Sequence, residues 1–384
     1  MIDEGEIRKW WDCVKFRGLT EVRILSAGRT YGGYFNDVET LYRSILPYAE
    51  SEAQLYFTLN HVKSACYSRC ASEIKLQNGK SHLTSDGDID GREWVLVDLD
   101  AERPSGVGST DEELKFAHDK CGEIYKFLLS EGFSPPLVAM SGNGYHLLIR
   151  CRIENNAKTT ELVKSFLKSL DLMFSDSRVH VDTSVYNASR ICKLYGTMVK
   201  KGSNTPDRPW RMSRIVYIPS RIEPVDIAYF RKVSEMVAME DPTPSHQNGY
   251  RREAFDLEGF MRQHGISYRT EHISGGTKYI LDHCPFDHSH VGKDSMIFQR
   301  DNGAIGFHCF HNSCSGKTWR DVRLLYDPNA YCYQYRPSPM PSGLMRPNRL
   351  PPILETPEKG QVWLKPSDIR REPFNLADYI PSGI

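Results

Sequence analysis

Nine residues, Glu93–Ala101 (EWVLVDLDA), constrain this chain more than any other segment. Their first half is apolar at consecutive positions, the pattern of a strand buried on both faces. Two aspartates then follow at a spacing of two. Residues two apart on a strand point to the same side, so Asp98 and Asp100 project together from the end of a buried strand, beside Leu96. Carboxylates so placed repel each other and are costly to ionise without a partner. A divalent cation resolves that conflict, and an all-oxygen ligand set suits Mg2+ or Mn2+. Capping the strand end before the turn at Pro104 is the plainer use of an Asp-x-Asp pair, and the neighbouring motifs decide between the two.

The remainder of residues 1–235 alternates strand and helix signals. The runs EVRIL (21–25), AQLYFTLN (53–60), RVHVD (178–182) and RIVYIPS (214–220) read as strands. NDVETLYRSILPYA reads as a helix capped by Asn36, and residues 157–174 as another. A third helix starts at Thr110, which forms a capping box with Glu113 and is followed by Leu114, Ala117, Cys121, Ile124 and Leu128 at helical spacing. PLVAMSGNGYHLLIRC (136–151) reads as a hairpin turning at Gly142-Asn143-Gly144. The pattern predicts an α+β (α/β) domain on a mixed β-sheet. Residues 236–255 read as a linker and 256–326 as a small compact unit. Half of the chain's 22 prolines follow residue 327, so 327–384 read as a tail that cannot hold a sizeable core.

Net charge is zero, with 49 basic and 49 acidic residues, so a nucleic-acid partner requires a local basic patch. No apolar run is long enough to span a membrane, and the acidic start MIDEGEIRKWW is not a signal peptide, which predicts a cytoplasmic protein. Isolated cysteines such as Cys13, Cys121, Cys151, Cys192 and Cys332 read as small buried residues.

Three features surround the acidic pair. Ser141-Gly142-Asn143-Gly144-Tyr145-His146 places a hydroxyl, two glycines and an imidazole at one tight turn, a composition suited to cradling a triphosphate. Asp182, at the end of RVHVD, is a further strand-borne carboxylate. Between Arg190 and Arg214 lie seven basic residues, Lys193, Lys200, Lys201, Arg208 and Arg211 among them, and one acid. That is the local basic patch, fit for salt-sensitive phosphate contacts.

In this order, Asp98-x-Asp100, Ser141-x4-His146, Asp182 and the Arg190/Lys193 segment resemble the archaeo-eukaryotic primase superfamily, and within it the primase-polymerases of phages, plasmids and integrated elements. The resemblance covers roughly residues 20–235. It implies an RRM-like catalytic core. It also implies two Mg2+ or Mn2+ ions on Asp98, Asp100 and Asp182, and nucleotide contacts from Ser141, Gly142, Asn143, Gly144, His146, Arg190 and Lys193. The implied partners are a single-stranded DNA template and nucleoside triphosphates, with primer synthesis in replication of a mobile element or phage. A replication initiator that keeps the fold but only grips DNA is the alternative. Tyr195 stands where relatives often place proline.

Cys284-x5-His290 and Cys309-x4-Cys314 flank a hairpin-like segment and supply four ligands from two loops, the composition of a closed structural zinc site. His288, His308 and His311 are rival ligands. A unit this small needs such a staple to fold. The segment resembles the zinc ribbons attached to viral and bacterial primases, with Lys317, Trp319 and Arg320 placed to meet single-stranded nucleic acid, although Trp319 reads equally as a core residue. The last residues, Phe374–Ile384, resemble the lead-in to a RecA-like helicase domain, which implies that the sequence is the N-terminal part of a larger protein.

Overall fold

The computed structural model describes residues 1–15, 18–77, 83–237, 239–240, 255–273, 275–328 and 330–331. The proline-rich tail beyond Tyr331, the helicase-like segment, Cys332 and most of the expected linker (241–254) lie outside them. Met1–Tyr331 forms one compact unit.

Helix α1 (Glu4–Trp10) is capped by Asp3 and leads to the hairpin β1 (Thr20–Ser26) and β2 (Arg29–Phe35). Helix α2 (Val38–Ile45) follows, then β3 (Gln54–Thr58) and β4 (Lys75–Leu76). The cap of α2 is Asp37, whose carboxylate accepts the Thr40 N–H at 2.8 Å, rather than Asn36. Next come β5 (Gly91–Ala101), α3 (Asp111–Ser130), β6 (Leu137–Met140), β7 (Gly144–Glu154), α4 (Ala157–Phe174) and β8 (Val179–Val181). The short strands β9 (Ile191–Lys193), β10 (Met198–Val199), β11 (Arg211–Met212) and β12 (Arg214–Tyr217) precede α5 (Ile227–Ser234). The final group is β13 (Met239–Glu240), α6 (Leu257–Gln263), β14 (Tyr268–Ile273), β15 (Gly276–Leu281), β16 (Ser295–Arg300), β17 (Ile305–Cys309) and α7 (Trp319–Tyr326).

These strands form three five-stranded sheets and a two-stranded β10–β11 ladder, giving an α+β fold. The orders are β4-β2-β1-β3-β9, β12-β6-β7-β5-β8 and β13-β17-β16-β15-β14. Among the described residues every strand pairing in them is antiparallel. β5 lies inside the second sheet, which explains its apolar run: Val95, Val97 and Leu99 face one side, Trp94 and Leu96 the other, and all five are buried. Helix α3 packs on β5 and β7 through Ala117, Cys121, Ile124 and Leu128. The free edge at β12 is closed by α1: Glu6 accepts the Ile215 N–H at 3.0 Å, and Lys9 Nζ donates to the Ile215 carbonyl at 2.8 Å. Among the described residues no helix is long and apolar enough to cross a membrane.

One buried polar side chain stitches the first two sheets together, and a second caps the end of a strand in the first. Asn60 Oδ1 accepts the Glu93 and Trp94 N–H groups at 2.8 and 3.0 Å, and its amide donates to the Ala188 carbonyl at 2.9 Å. Those contacts fall at the β5 irregularity between Arg92 and Trp94. Lys15 Nζ caps the end of β3 by reaching the Thr58 carbonyl at 3.0 Å. The third sheet joins helices α3 and α4: Lys278 donates to the Ser175 carbonyl at the end of α4, and Phe310 packs against Phe127 and Phe174.

Removing Asn60 strands two buried N–H donors. Asn60→Ala is expected to lower stability by about 2–4 kcal/mol, read as a lower urea midpoint at unchanged slope. A midpoint within error of the parent contradicts the stitching role.

Candidate active site and metal centre

The ladder register assembles the first site. In β5 and β7, Asp98 pairs with His146 and Asp100 with Gly144. In β5 and β8, Leu99 pairs with Val181 and Asp100 with His180. One step beyond β8, the Asp182 N–H donates to the Asp98 carbonyl at 2.9 Å, so Asp182 stands directly across from Asp98. Directly opposed residues share a face, with Cβ atoms about 4.5–5.5 Å apart. His146, Asp98 and Asp182 therefore form one row across three strands, with Asp100 two positions along on the same face.

Each carboxylate has its own cationic or donor partner. Asp98 Oδ1 lies 3.3 Å from His146 Nε2. Both Arg103 terminal nitrogens reach Asp100 Oδ1 at 3.2 Å. Asp182 accepts the Ser184 N–H at 2.7 Å, and its other oxygen is 3.5 Å from Arg190. Burial disfavours the ionised form of Asp98, but His146, then Arg190 and Arg103, outweigh it and hold the carboxyl below its ordinary value. Asp100 moves the other way, raised by burial and by the neighbouring Asp98 charge. Burial opposes the charge on His146 as well, yet Cys192 and Asp98 raise it well above the usual histidine value. Adjacent carboxyls driven apart in this way are what a site short of positive charge produces. The all-oxygen donors fit a hard divalent cation.

The glycine turn is packed tightly. Ser141 Oγ accepts the Gly144 N–H at 3.1 Å, and the Ser141 N–H returns a bond to the Gly144 carbonyl at 2.9 Å. A Cβ at Gly144 would lie 2.1 Å from the Leu99 carbonyl oxygen and 2.9 Å from Asp100 Oδ1. Gly142, at φ +108°, would meet Val199 at 2.4 Å. Both glycines are thus required by close approach to neighbouring elements. Asn143 anchors the turn to the segment before α3: its Oδ1 accepts the Ser109 N–H at 2.8 Å.

Lys193 is buried, with Nζ 3.1 Å from Gln54 Oε1 and 5.5 Å from the centre of the Tyr56 ring. Burial pushes it down to about 7. Other members of the basic stretch are engaged elsewhere. Lys200 caps the Glu50 and Ser51 carbonyls. Arg208 makes a two-pronged pair with Glu113 at 2.8 Å, and Arg211 reaches Asp111 at 2.6 Å, so both neutralise the acidic first turn of α3. Lys201 is exposed.

Four residues around this site escaped the sequence reading of function: Arg103, Cys192, Tyr195 and Gln54. Arg103 carried a signal, a basic residue three positions after Asp100. The others come from β3 and the β9 turn, and only the packing of the first sheet on the second brings them in.

The second site gathers Cys284, His290, Cys309 and Cys314, all buried, with ligand atoms within 4.8 Å of one another. Among the described residues this is the one group of three or more such ligands so closely drawn together, so the three aspartates are not at that spacing. Cys284 and Cys314 Sγ are 3.7 Å apart, and His290 Nδ1 is 3.5 Å from both Cys309 and Cys314 Sγ. Tetrahedral Zn2+ with Zn–S about 2.3 Å and Zn–N about 2.0–2.1 Å requires edges of about 3.8 and 3.6 Å, so the cluster can hold zinc. His290 Nε2 faces Asp287 at 3.4 Å, the usual outer partner of a ligating imidazole. His308 points away from the cluster, with Nδ1 3.2 Å from the Met236 carbonyl. His311 stacks on His290 with ring centres 3.6 Å apart. His288 presents its carbonyl to His283.

Of the two readings open for Trp319, the core one holds and the nucleic-acid-facing one does not: it is 2% exposed and packed edge-on against Phe255 and Phe260. Lys317 lies over the Phe286 ring and Arg320 over Tyr331.

No protein-family model matches this chain, and no curated protein is similar to it. Two solved structures are. One is a crystal structure of primase RepB′, 13% identical, with a TM-score of 0.33 over 68% of this chain and 65% of that one. The other is the catalytic domain of primase RepB′ in complex with initiator DNA, 12% identical, with a TM-score of 0.33 over 60% of this chain and 90% of that one. The chain thus spans just under two thirds of the first structure's length.

Elemental analysis of the purified protein is expected to give one zinc per chain. Cys314→Ser should lose it and His308→Ala keep it. Retention in Cys314→Ser, or loss in His308→Ala, contradicts the ligand set.

Proposed function

We propose that the chain is a template-directed nucleotidyltransferase, a primase-polymerase that extends or initiates primers on single-stranded DNA. The single observation that carries this reading is the row Asp182–Asp98–His146, with Asp100 on the same face beside the Ser141–Gly144 turn. Asp98, Asp100 and Asp182 would hold two Mg2+ or Mn2+ ions. When bound, such ions neutralise phosphate charge and favour in-line attack of a 3′-hydroxyl, with pyrophosphate leaving.

The protein's own residues supply position and charge. His146, anchored between strands, offers Nε2 at the carboxylate face. The Ser141 hydroxyl, already accepting from Gly144, keeps its proton for a phosphate oxygen. Lys193 and Arg190 close the side next to β3 and contribute positive charge to the triphosphate. Lys201, with Lys317 and Arg320 on the zinc-binding unit, would meet the template backbone, and the zinc ion would hold that unit folded.

Incubation with single-stranded template, nucleotides and Mg2+ or Mn2+ should yield primers or extended strands, and Asp98→Ala should reduce the rate roughly a thousandfold or more. DNA binding that survives in Asp98→Ala while the parent makes no product in either metal contradicts the enzyme. That result favours the reading in which the same fold grips replication-origin DNA without catalysis, to which the existing Asp100–Arg103 and Asp182–Arg190 pairs lend some support.

Lys193 gives the pH dependence a sign. Free, it loses its proton near pH 7; bound to phosphate, it is held charged. Triphosphate affinity should therefore be full below about pH 7 and fall as pH rises through it, because binding must then take up a proton. Isothermal titration across pH 6–9 in Lys193→Met should give weaker, flatter binding. A parental slope in that variant removes Lys193 from the account.

A further inference from the structure

We propose that Tyr195 is the positioning residue of His146, fixing which imidazole nitrogen faces the carboxylates; this rests on the nucleotidyl-transfer reading above. The Tyr195 hydroxyl lies 2.8 Å from His146 Nδ1, and both side chains are buried. An apolar slot beside Phe57, ring centres 6.1 Å apart, would accept phenylalanine equally well. The added hydroxyl is directed at the imidazole.

The consequence follows from the two nitrogens. With Nδ1 held by Tyr195, Nε2 is the nitrogen left facing Asp98 at 3.3 Å. A phenol can accept from Nδ1–H or donate to a bare Nδ1, so it holds the ring in either protonation state. Cys192 Sγ, 3.5 Å from Nδ1 and 3.4 Å from the Tyr195 hydroxyl, is the other polar neighbour and a weak one. Without the hydroxyl, Nδ1 loses its strong polar partner, and only packing and the Asp98 contact at Nε2 hold the ring. Orienting partners of a metal-bound imidazole commonly change activity by about 10–100-fold when removed, and the lower end of that scale is expected for His146.

Tyr195 is itself held by a rigid turn. Gly196 has φ +89°, and a Cβ there would lie 2.9 Å from the Asp3 carbonyl oxygen. The Gly196 N–H donates to the Ser213 carbonyl at 2.7 Å, and the Thr197 hydroxyl donates to the Leu194 carbonyl at 2.6 Å. The phenol is therefore presented to His146 from a fixed backbone, while its ring fills the core beside Phe57.

The test combines Tyr195→Phe, His146→Ala, their double variant and Phe57→Leu, which disturbs the Tyr195 ring without touching His146. Tyr195→Phe should lower kcat roughly tenfold with the nucleotide KM within about threefold of parent. The double variant should match His146→Ala, and Phe57→Leu should lower the melting temperature but keep kcat within about twofold. In 15N-histidine spectra, an exchange-protected N–H on His146 Nδ1, read separately from any on Nε2 beside Asp98, should be present in the parent and lost in Tyr195→Phe. Effects that add on His146→Ala, a Phe57→Leu loss as large as that of Tyr195→Phe, or a retained N–H resonance overturn the proposal. If the parent transfers no nucleotide, the nucleotidyltransferase reading fails, and the resonance alone decides: its loss supports the Tyr195 role and its retention removes it.

Discussion

Three carboxylates on one face of one antiparallel ladder are the constraint around which the rest is arranged. Asp98 and Asp100 project from an interior strand, and Asp182 is brought opposite Asp98 by the β5–β8 register. The neighbouring charges of Asp98 and Asp100 oppose each other's ionisation and call for compensation. The protein meets the demand in part, with His146, Arg103 and Arg190 each assigned to one acid. The raised Asp100 carboxyl marks what is left over. A bound cation is the simplest supplier of the missing charge, and a triphosphate brings the ligands that complete a divalent ion's shell.

The scaffold serves that row. β5 carries acids at its end because its preceding residues are apolar on both faces and pin it inside the sheet. Gly144 exists to let β7 lie against Leu99 and Asp100 without a clash. Asn60 ties the start of β5 to the loop before Arg190, so the acids and the basic segment are held by one side chain at the far end of the strand. Much of the basic stretch is structural: Arg208 and Arg211 answer the acidic first turn of α3, so of its cations Arg190 is the one paired with a carboxylate of the row.

What could be read from the sequence, and what could not, follows physical lines. Long periodic elements were legible: α3 with its capping box, α4 and the β6–β7 hairpin. The β1–β2 hairpin was half legible, since RTYGGYF carries two glycines in its middle. The α2 cap fell on Asp37 rather than its neighbour Asn36 because two adjacent residues offered equivalent caps. The spacing of Asp98 and Asp100 was readable from strand geometry, whereas Asp182 required a pairing register that no local pattern encodes. His146's partner Tyr195 was visible as a residue but not as a neighbour, being 49 positions away. Trp319 read equally as a core or a nucleic-acid-facing residue, and burial at 2% exposure decides for the core, because a short amphipathic helix does not reveal which aromatic it buries. Among the candidate metal ligands, Cys309 and His308 alternate along β17, so only one of them can face the cluster. The loop bond from the Cys284 N–H to the His290 carbonyl, 2.9 Å, brings His290 rather than His288 beside Cys284.

The central claim is that Asp98, Asp100 and Asp182 jointly hold divalent cations. Anomalous diffraction from crystals soaked in Mn2+ with a non-hydrolysable nucleoside triphosphate addresses it directly. The account expects manganese density between the three carboxylates, with the triphosphate running toward Lys193 and the Ser141 turn. Manganese absent from that face while nucleotide is bound elsewhere, or density unchanged by Asp98→Asn, would contradict it.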